Sequence, residues 1–245
     1  MDPMPDWTHR LGFVVPSWNT VVEYEMVRML PPGVSAHFSR IEHTDDSPAS
    51  LQRMADEFPR HVELLAHAHV HTVCYACTGA SLFHGRAGDL EDLIRLNAVS
   101  KPQVISAAAA LVEAAQCCGL HRVAVGAPYE KWLLDGLIQY LEDAGLRVIN
   151  AVGLDQQANV LHPPQAALEL AERAWTPSAD GLVLSCGNFR TLELVADIEQ
   201  SIRKPMITSN TAALWCALTR ARWRGQIPNA GELLSGARAL PLLGG

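Results

Sequence analysis

Two cysteines occupy similar places in the sequence, each directly after an apolar run and before small or polar residues. Cys77 lies in "YACTGASLF" and Cys186 lies in "LVLSCGNFR". A thiolate can act as a nucleophile or exchange a proton, but a free thiol with a pKa near ~8.5 is little ionised at neutral pH. We therefore expect the site to lower this pKa, which backbone N–H groups at a helix start can do. The alternative is that both are buried, inert thiols, as most free cysteines are.

The other four cysteines suggest no chemistry. Cys74 forms a C-x-x-C with Cys77, but no second pair or histidine cluster at ligand spacing completes a zinc site, so no metal is predicted. Cys117, Cys118 and Cys216 are predicted to be structural. A chain of 245 residues without a visible export signal does not need a disulfide framework, and all six cysteines are expected to be free thiols.

The charge balance disfavours some classes of partner, although a local basic patch stays possible. The net charge is −7, whereas nucleic acid and anionic membrane surfaces call for clustered Lys and Arg. No apolar run reaches the ~18 residues that span a bilayer, and the N-terminal "MDPMPDWTHRLGF" lacks the features of a signal peptide. We therefore expect a cytoplasmic protein whose partner is neither nucleic acid nor membrane.

Apolar runs rich in Val, Leu and Ile alternate with amphipathic stretches of helical length. This pattern is typical of a doubly wound α/β protein, in which helices cover both faces of a parallel sheet. The predicted strands are 11–15, 36–41, 70–75, 103–106, 122–126, 147–152, 181–185 and 205–208. The predicted helices are 20–30, 50–67, 88–97, 107–118, 129–144, 164–175, 192–202 and 211–224, with a further helix near 231–240.

The sequence also repeats itself in order. "HRLGFVVPSWN" pairs with "HRVAVGAPYEK", Cys77 pairs with Cys186, and "KPQVISAAAALVEA" pairs with "KPMITSNTAALWCA", at nearly constant offsets. Such a repeat predicts two similar halves, 9–119 and 120–224, followed by a tail at 225–245. The plainer alternative is that any α/β protein aligns loosely with itself.

The repeat gives the two cysteines a common location. Ligands of open α/β sheets bind beyond the carboxyl ends of the strands, where both cysteines are predicted to lie. If the halves pack about a pseudo-two-fold axis, these strand ends meet. Cys77 and Cys186 would then face each other across one cleft as a pair of nucleophilic or acid/base groups.

The sequence resembles the Asp/Glu racemase superfamily, in the branch of maleate cis–trans isomerases, arylmalonate decarboxylases and ectoine-utilisation A-type proteins. The resemblance rests on these segments in this order: "LGFVVPSWNT", "YACTGASLF", "VAVGAPYEKWL", "VLSCGNFRTLE" and "KPMITSNTAALW". It implies two pseudo-symmetric Rossmann-like α/β halves with one cysteine from each at their junction. It further implies that no metal or organic cofactor takes part, and that the chain forms a homodimer.

The resemblance implies an isomerase acting on a small dicarboxylate such as maleate. Cys77 would attack an alkene carbon, and Cys186 would give a proton to the neighbouring carbon and remove it after rotation. Arylmalonate decarboxylases typically lack the first cysteine, so its presence favours isomerisation. A decarboxylase or racemase acting through an enediolate remains an alternative, as does a dicarboxylate-binding protein without catalysis.

The resemblance also implies a set of substrate-binding residues. Asn19, Tyr129 and Asn159 would orient the carboxylates, and the residues after each cysteine are small enough for close approach: Thr78, Gly79, Gly187 and Asn188. Asn19 could instead cap the following helix, Tyr129 could fill the core, and Asn159 could be an ordinary loop residue. Asn210 is predicted to be a helix cap rather than a ligand contact.

Overall fold

The computed structural model describes residues 7–157 and 160–236. The strands are β1 His9–Pro16, β2 Val34–Ile41, β3 Thr72–Tyr75, β4 Gln103–Ser106, β5 Arg122–Tyr129, β6 Arg147–Gln156, β7 Gly181–Leu184 and β8 Met206–Thr208. The helices are α1 Val22–Met29, α2 Pro48–Ala66, α3 Thr78–Leu82, α4 Gly85–Val99, α5 Ala107–Cys117, α6 Lys131–Asp143, α7 Pro164–Ala174, α8 Leu192–Ile202, α9 Ser209–Arg220 and α10 Gly231–Ser235. All eight predicted strands are present, and β5 and β6 run beyond their predicted ends.

The strands form two parallel four-stranded sheets with the same topology. The order is β2-β1-β3-β4 in the first sheet and β6-β5-β7-β8 in the second. Every neighbouring pair of strands is parallel. Helices cover the sheets, so the predicted α/β class is confirmed. The matching strand orders are the structural counterpart of the sequence repeat, because β1 corresponds to β5 and β3 corresponds to β7.

The larger of two clusters of buried side chains among the described residues contains residues of both sheets, from Leu11 to Leu234, and so joins them. Helices α5 and α9, which occupy equivalent positions after β4 and β8, pack against each other. The alanine-rich sequence of α5 allows close approach of the two helices. Arg220 of α9 adds two hydrogen bonds of 2.8 Å to the carboxylate of Glu113 on α5.

Helix α3 was not predicted. Its sequence "TGASL" contains glycine and serine, which have low helix propensity, and it is only five residues long. All five of its residues are buried, so packing stabilises the helix although the helix propensity of its residues is low. Among the described residues, no helix is long and apolar enough to cross a membrane.

Candidate active site

Cys77 lies two residues beyond β3, at the N-cap of α3. It is 8% exposed. Burial raises the pKa of its thiol to about 12, partly offset by the backbone N–H groups of Ala80 and Gly79, while Asp46 raises the pKa further. The expected N–H groups are therefore present, but the prediction that the site lowers the pKa is wrong because desolvation of the thiolate outweighs them.

Cys186 lies at the equivalent place beyond β7, in a turn and not at a helix start. Helix α8 begins at Leu192, as predicted, so the Cys186 thiol does not lie at a helix N-terminus. The φ angle of Cys186 is +115°, which non-glycine residues rarely adopt. Its N–H donates a 3.0 Å hydrogen bond to Oγ of Ser209. Burial raises the pKa of Cys186 to about 12, offset in part by the N–H of Asn188.

The loops that carry the two cysteines touch. A Cβ on Gly187 would lie 3.4 Å from the carbonyl oxygen of Ala76, and 3.0 Å from Cγ2 of Val22, which leaves little room for a side chain. Oγ1 of Thr78 lies 2.9 Å from Oγ of Ser209, the group that holds the Cys186 backbone. A charge on Cys77 raises the pKa of Cys186, as expected for thiols in one site. The structure thus brings the two cysteines together at the carboxyl ends of equivalent strands.

Tyr129 places its hydroxyl beside both thiols. The residue is 1% exposed, and its hydroxyl lies 3.1 Å from Oγ of Ser185. Burial and a charge on Cys186 raise the pKa of Tyr129, and a hydrogen bond from its hydroxyl lowers the pKa of Cys186. Tyr129 is therefore a neutral donor in the site as well as a core residue.

Asn19 holds the turn that leads into α1, whose N-cap is Val21. Its Oδ1 accepts hydrogen bonds from the N–H groups of Val21 (3.0 Å) and Val22 (2.9 Å). The side chain therefore bonds to backbone N–H groups at the start of the helix, although it is not the N-cap residue, and its amide NH₂ group is left for a substrate. Asn159 lies outside the described residues, so its substrate-binding role stays a prediction.

Asn188 and Thr78 connect the halves. Oδ1 of Asn188 accepts a 3.1 Å hydrogen bond from the N–H of Thr20, across the junction. Thr78 is 2% exposed and bonds to Ser209 of the second half. Their substrate contacts, like those of Gly79 and Gly187, remain predictions.

A buried carboxylate that sequence reasoning missed holds the Cys186 loop. Oε1 of Glu25, on α1, accepts hydrogen bonds from the N–H groups of Thr191 (2.6 Å) and Leu192 (2.9 Å) at the start of α8. Its Oε2 accepts a 2.6 Å hydrogen bond from Nδ2 of Asn210, which also donates to the carbonyl of Gly187 (3.2 Å). The prediction that Asn210 is a helix cap is wrong, since Thr208 caps α9 and the Asn210 amide bridges Glu25 to the active-site turn.

Glu25→Gln is expected to lower kcat more than it changes KM, because the Gln NH₂ group cannot accept the bonds that position the Cys186 turn. The lost bonds should also cost ~1–3 kcal/mol of unfolding free energy. Glu199→Gln is the matched control, since Glu199 also accepts backbone bonds, from Met206 and Glu232, away from the thiols. It should destabilise the protein with kcat close to wild type. Equal losses of kcat in both variants would contradict a positioning role for Glu25.

Comparison with known proteins agrees with this geometry. The profile of the arylmalonate decarboxylase family, Amdase, matches residues 11–234. The chain belongs to this family. A maleate isomerase from Pseudomonas putida is 30% identical over 94% of this chain and 98% of its own length. These matches confirm the resemblance to the isomerase and decarboxylase branch.

Two solved structures of family members are close in fold. The maleate isomerase Iso from Pseudomonas putida, as a cysteine-to-alanine variant with maleate, gives a TM-score of 0.88 at 27% identity over 94% of this chain and 98% of that one. A cysteine-to-serine variant of the Nocardia farcinica maleate cis–trans isomerase, with a covalently bound succinylcysteine intermediate, gives a TM-score of 0.83. It is 28% identical over 93% of this chain and 98% of that one. These structures confirm the predicted fold class.

Proposed function

We propose that the protein catalyses the cofactor-independent cis–trans isomerisation of maleate to fumarate, with Cys77 as nucleophile and Cys186 as acid and base. The observation that carries this proposal is the pair of buried thiols, one from each half, on loops that touch. Support also comes from maleate isomerases 30% identical to the chain, and from the succinylcysteine intermediate in the Nocardia farcinica enzyme.

The reaction needs one thiolate and one thiol. The Cys77 thiolate forms a C–S bond to one alkene carbon, and the electron pair of the double bond moves to the neighbouring carbon, where it takes the proton of Cys186. The central bond of this succinyl adduct is single and rotates. The Cys186 thiolate then removes the proton, the double bond re-forms in the trans geometry, and the C–S bond breaks. Every atom returns to its starting place, so the cycle consumes no co-reactant.

Neutral hydrogen-bond donors suit this chemistry. The N–H groups of Gly79, Ala80 and Asn188 and the hydroxyl of Tyr129 all lower the pKa of a thiol. Such donors can follow negative charge as it moves from sulfur to the adduct and back. With both pKa values raised by burial, the thiolate is rare at neutral pH but strongly nucleophilic once formed.

A decarboxylase acting through an enediolate is the second candidate, because the family profile that matches the chain is that of arylmalonate decarboxylase. Protonation of an enediolate needs one acid, which Cys186 supplies alone. The pairing of Cys77 with Cys186 favours isomerisation, since that reaction uses both thiols.

Incubated with maleate, the protein is expected to form fumarate, which proton NMR follows through the alkene signals. A parallel incubation with phenylmalonate, followed by release of carbon dioxide, tests the decarboxylase. Binding of maleate without turnover of either acid would favour a binding protein and contradict the proposal. The homodimer and the cytoplasmic location stay predictions.

A further inference from the structure

One buried hydroxyl contacts both of the segments that carry the thiols. Ser209, the first residue of α9, is 2% exposed. Its Oγ accepts a 3.0 Å hydrogen bond from the N–H of Cys186 and lies 2.9 Å from Oγ1 of Thr78, the residue that follows Cys77. A single oxygen atom therefore lies between the two thiol segments and bonds to a residue of each.

The hydroxyl of Ser209 is not needed to start its own helix. The side chain of Thr208 accepts a 3.1 Å hydrogen bond from the N–H of Thr211, and Oγ1 of Thr211 accepts one of 3.1 Å from the N–H of Thr208. These two bonds form a complete capping box for α9. A serine hydroxyl has one proton and two acceptor sites, all of which Ser209 can use outside its helix.

The same hydroxyl belongs to a chain of hydroxyls that ends at the Cys186 sulfur. Oγ of Ser209 lies 3.5 Å from Oγ of Ser185, which lies 3.1 Å from the hydroxyl of Tyr129. The Tyr129 hydroxyl in turn hydrogen-bonds to the Cys186 thiol. All three hydroxyl-bearing residues are buried, so each depends on the others for hydrogen-bond partners. Ser209 thus acts on Cys186 at its N–H directly and at its sulfur through two further hydroxyls.

The backbone of Cys186 needs such support. Its φ of +115° is one that a residue other than glycine keeps only where the surrounding contacts impose it. Two consecutive residues of α9 supply contacts of this kind. Ser209 accepts from the N–H of Cys186, and Nδ2 of Asn210 donates to the carbonyl of Gly187 (3.2 Å). Without the Ser209 bond the turn can relax, and the sulfur of Cys186 moves with it.

Cys77 is held by its own helix and not by Ser209. Its carbonyl accepts hydrogen bonds from the N–H (3.1 Å) and from the Oγ (2.8 Å) of Ser81 in α3. Loss of the Ser209 hydroxyl should therefore displace Cys186 and leave Cys77 in place.

The first half has alanine at the position equivalent to Ser209. Helix α5 begins at Ala107 and α9 begins at Ser209, directly after the strands β4 and β8. The last residues of these strands, Ser106 and Thr208, each pair with the residue two positions before a site cysteine. Ala107 therefore takes the place of Ser209 in the first half, so the hydroxyl distinguishes the two halves of a pseudo-symmetric site.

We infer that Ser209 is a positioning residue, whose hydroxyl holds Cys186, and not Cys77, in place for proton transfer. This inference rests on the proposed isomerisation, in which Cys77 attacks and Cys186 gives and removes the proton. A displacement of about 1 Å can cost on the order of a hundredfold in rate. Because the attack itself uses only Cys77, removing the Ser209 hydroxyl should slow removal of the proton more than formation of the C–S bond.

Ser209→Ala is expected to lower kcat for maleate by on the order of tenfold or more, with KM unchanged or lower. The succinyl adduct on Cys77 should accumulate during turnover, because it forms faster than the displaced Cys186 removes its proton. Mass spectrometry of the peptide that contains Cys77 measures the adduct. Ser209→Thr, which keeps the hydroxyl, should show less adduct and a higher kcat than Ser209→Ala.

Ser106→Ala is the matched control. Ser106 is also a buried serine with two hydrogen bonds, from the N–H of Ala109 (3.1 Å) and to Oδ2 of Asp89 (2.6 Å), but neither partner belongs to a thiol segment. This variant should lower the thermal unfolding midpoint without accumulating the adduct.

The outcomes separate this inference from the proposed function. A Ser209→Ala variant that keeps the wild-type kcat, or that loses kcat without accumulating adduct, would overturn the inference and leave isomerisation intact. In wild-type protein the amide hydrogen of Cys186 should exchange slowly with deuterium, because its bond to Ser209 is buried. Fast exchange would also overturn the inference, and this measurement stands even if Ser209→Ala fails to fold.

If wild-type protein turns over no maleate, isomerisation fails, and alkylation by iodoacetamide decides the role of Ser209. Ser209→Ala should raise the rate of alkylation at Cys186 relative to Cys77 by on the order of threefold or more, because the turn opens more often once its hydrogen bond is lost. An unchanged ratio would refute the role of Ser209.

Discussion

Cys77→Ser is expected to reduce the conversion of maleate to fumarate by on the order of 10³-fold or more. A serine hydroxyl ionises far less readily than a thiol, and burial that already raises the pKa of Cys77 to about 12 would oppose an alkoxide at the same position even more. The variant should keep its fold, because serine is close in size to cysteine. Proton NMR of the alkene signals measures the loss, and the thermal unfolding midpoint checks the fold.

Cys117→Ser is the matched control for this variant. Cys117 is a half-buried cysteine outside any disulfide, at the end of α5, and its replacement should leave turnover close to wild type. Substantial isomerisation by Cys77→Ser would show that Cys77 is not the nucleophile. Decarboxylation of phenylmalonate that survives in Cys77→Ser would instead identify the one-acid reaction.

The repeat in the sequence predicts most of the fold, because duplication constrains both halves at once. "HRLGFVV" and "HRVAVGA" become β1 and β5, and the order of strands is the same in both sheets. The short helix α3 could not be predicted in this way. Its five residues are helical because they are buried between the halves, and no local propensity indicates that.

The positions of the two cysteines could be predicted from the ends of the strands, but the backbone conformation around them could not. Cys77 precedes the unpredicted helix α3, and Cys186 enters a turn with φ +115° that no sequence pattern indicates. The pKa of each thiol is raised and not lowered as predicted, because burial is a property of the assembled halves. The sequence alone predicts N–H donors that lower the thiol pKa, but it does not predict the desolvation whose opposite effect on the pKa is larger.

The sequence did contain a signal for the buried role of Glu25. The buried residues of α1 are Val22, Glu25, Met26 and Met29, so Glu25 lies on the apolar face of an amphipathic helix. A carboxylate in that position must find buried donors, and here they come from the other half of the chain.

Cys186→Ser is expected to accumulate a covalent succinyl adduct on Cys77 while turnover falls by on the order of 10³-fold. Cys77 can still attack, and the carbanion can take a proton from water, which leaves hydroxide. Elimination requires a base to remove that proton, and a serine alkoxide does not form in a site this buried. The adduct therefore forms faster than it breaks down.

Mass spectrometry of the peptide that contains Cys77 should show the added mass of one maleic acid. The Cys77→Ser/Cys186→Ser double variant should show no adduct, which assigns the modified sulfur. An adduct on Cys186 in the Cys77→Ser variant would exchange the two roles, since the pseudo-symmetry of the site by itself allows either thiol to attack. What distinguishes them in the structure is the surroundings: two N–H groups at the start of α3 lower the pKa of Cys77, whereas the strained turn and the Tyr129 hydroxyl hold Cys186 as a proton carrier.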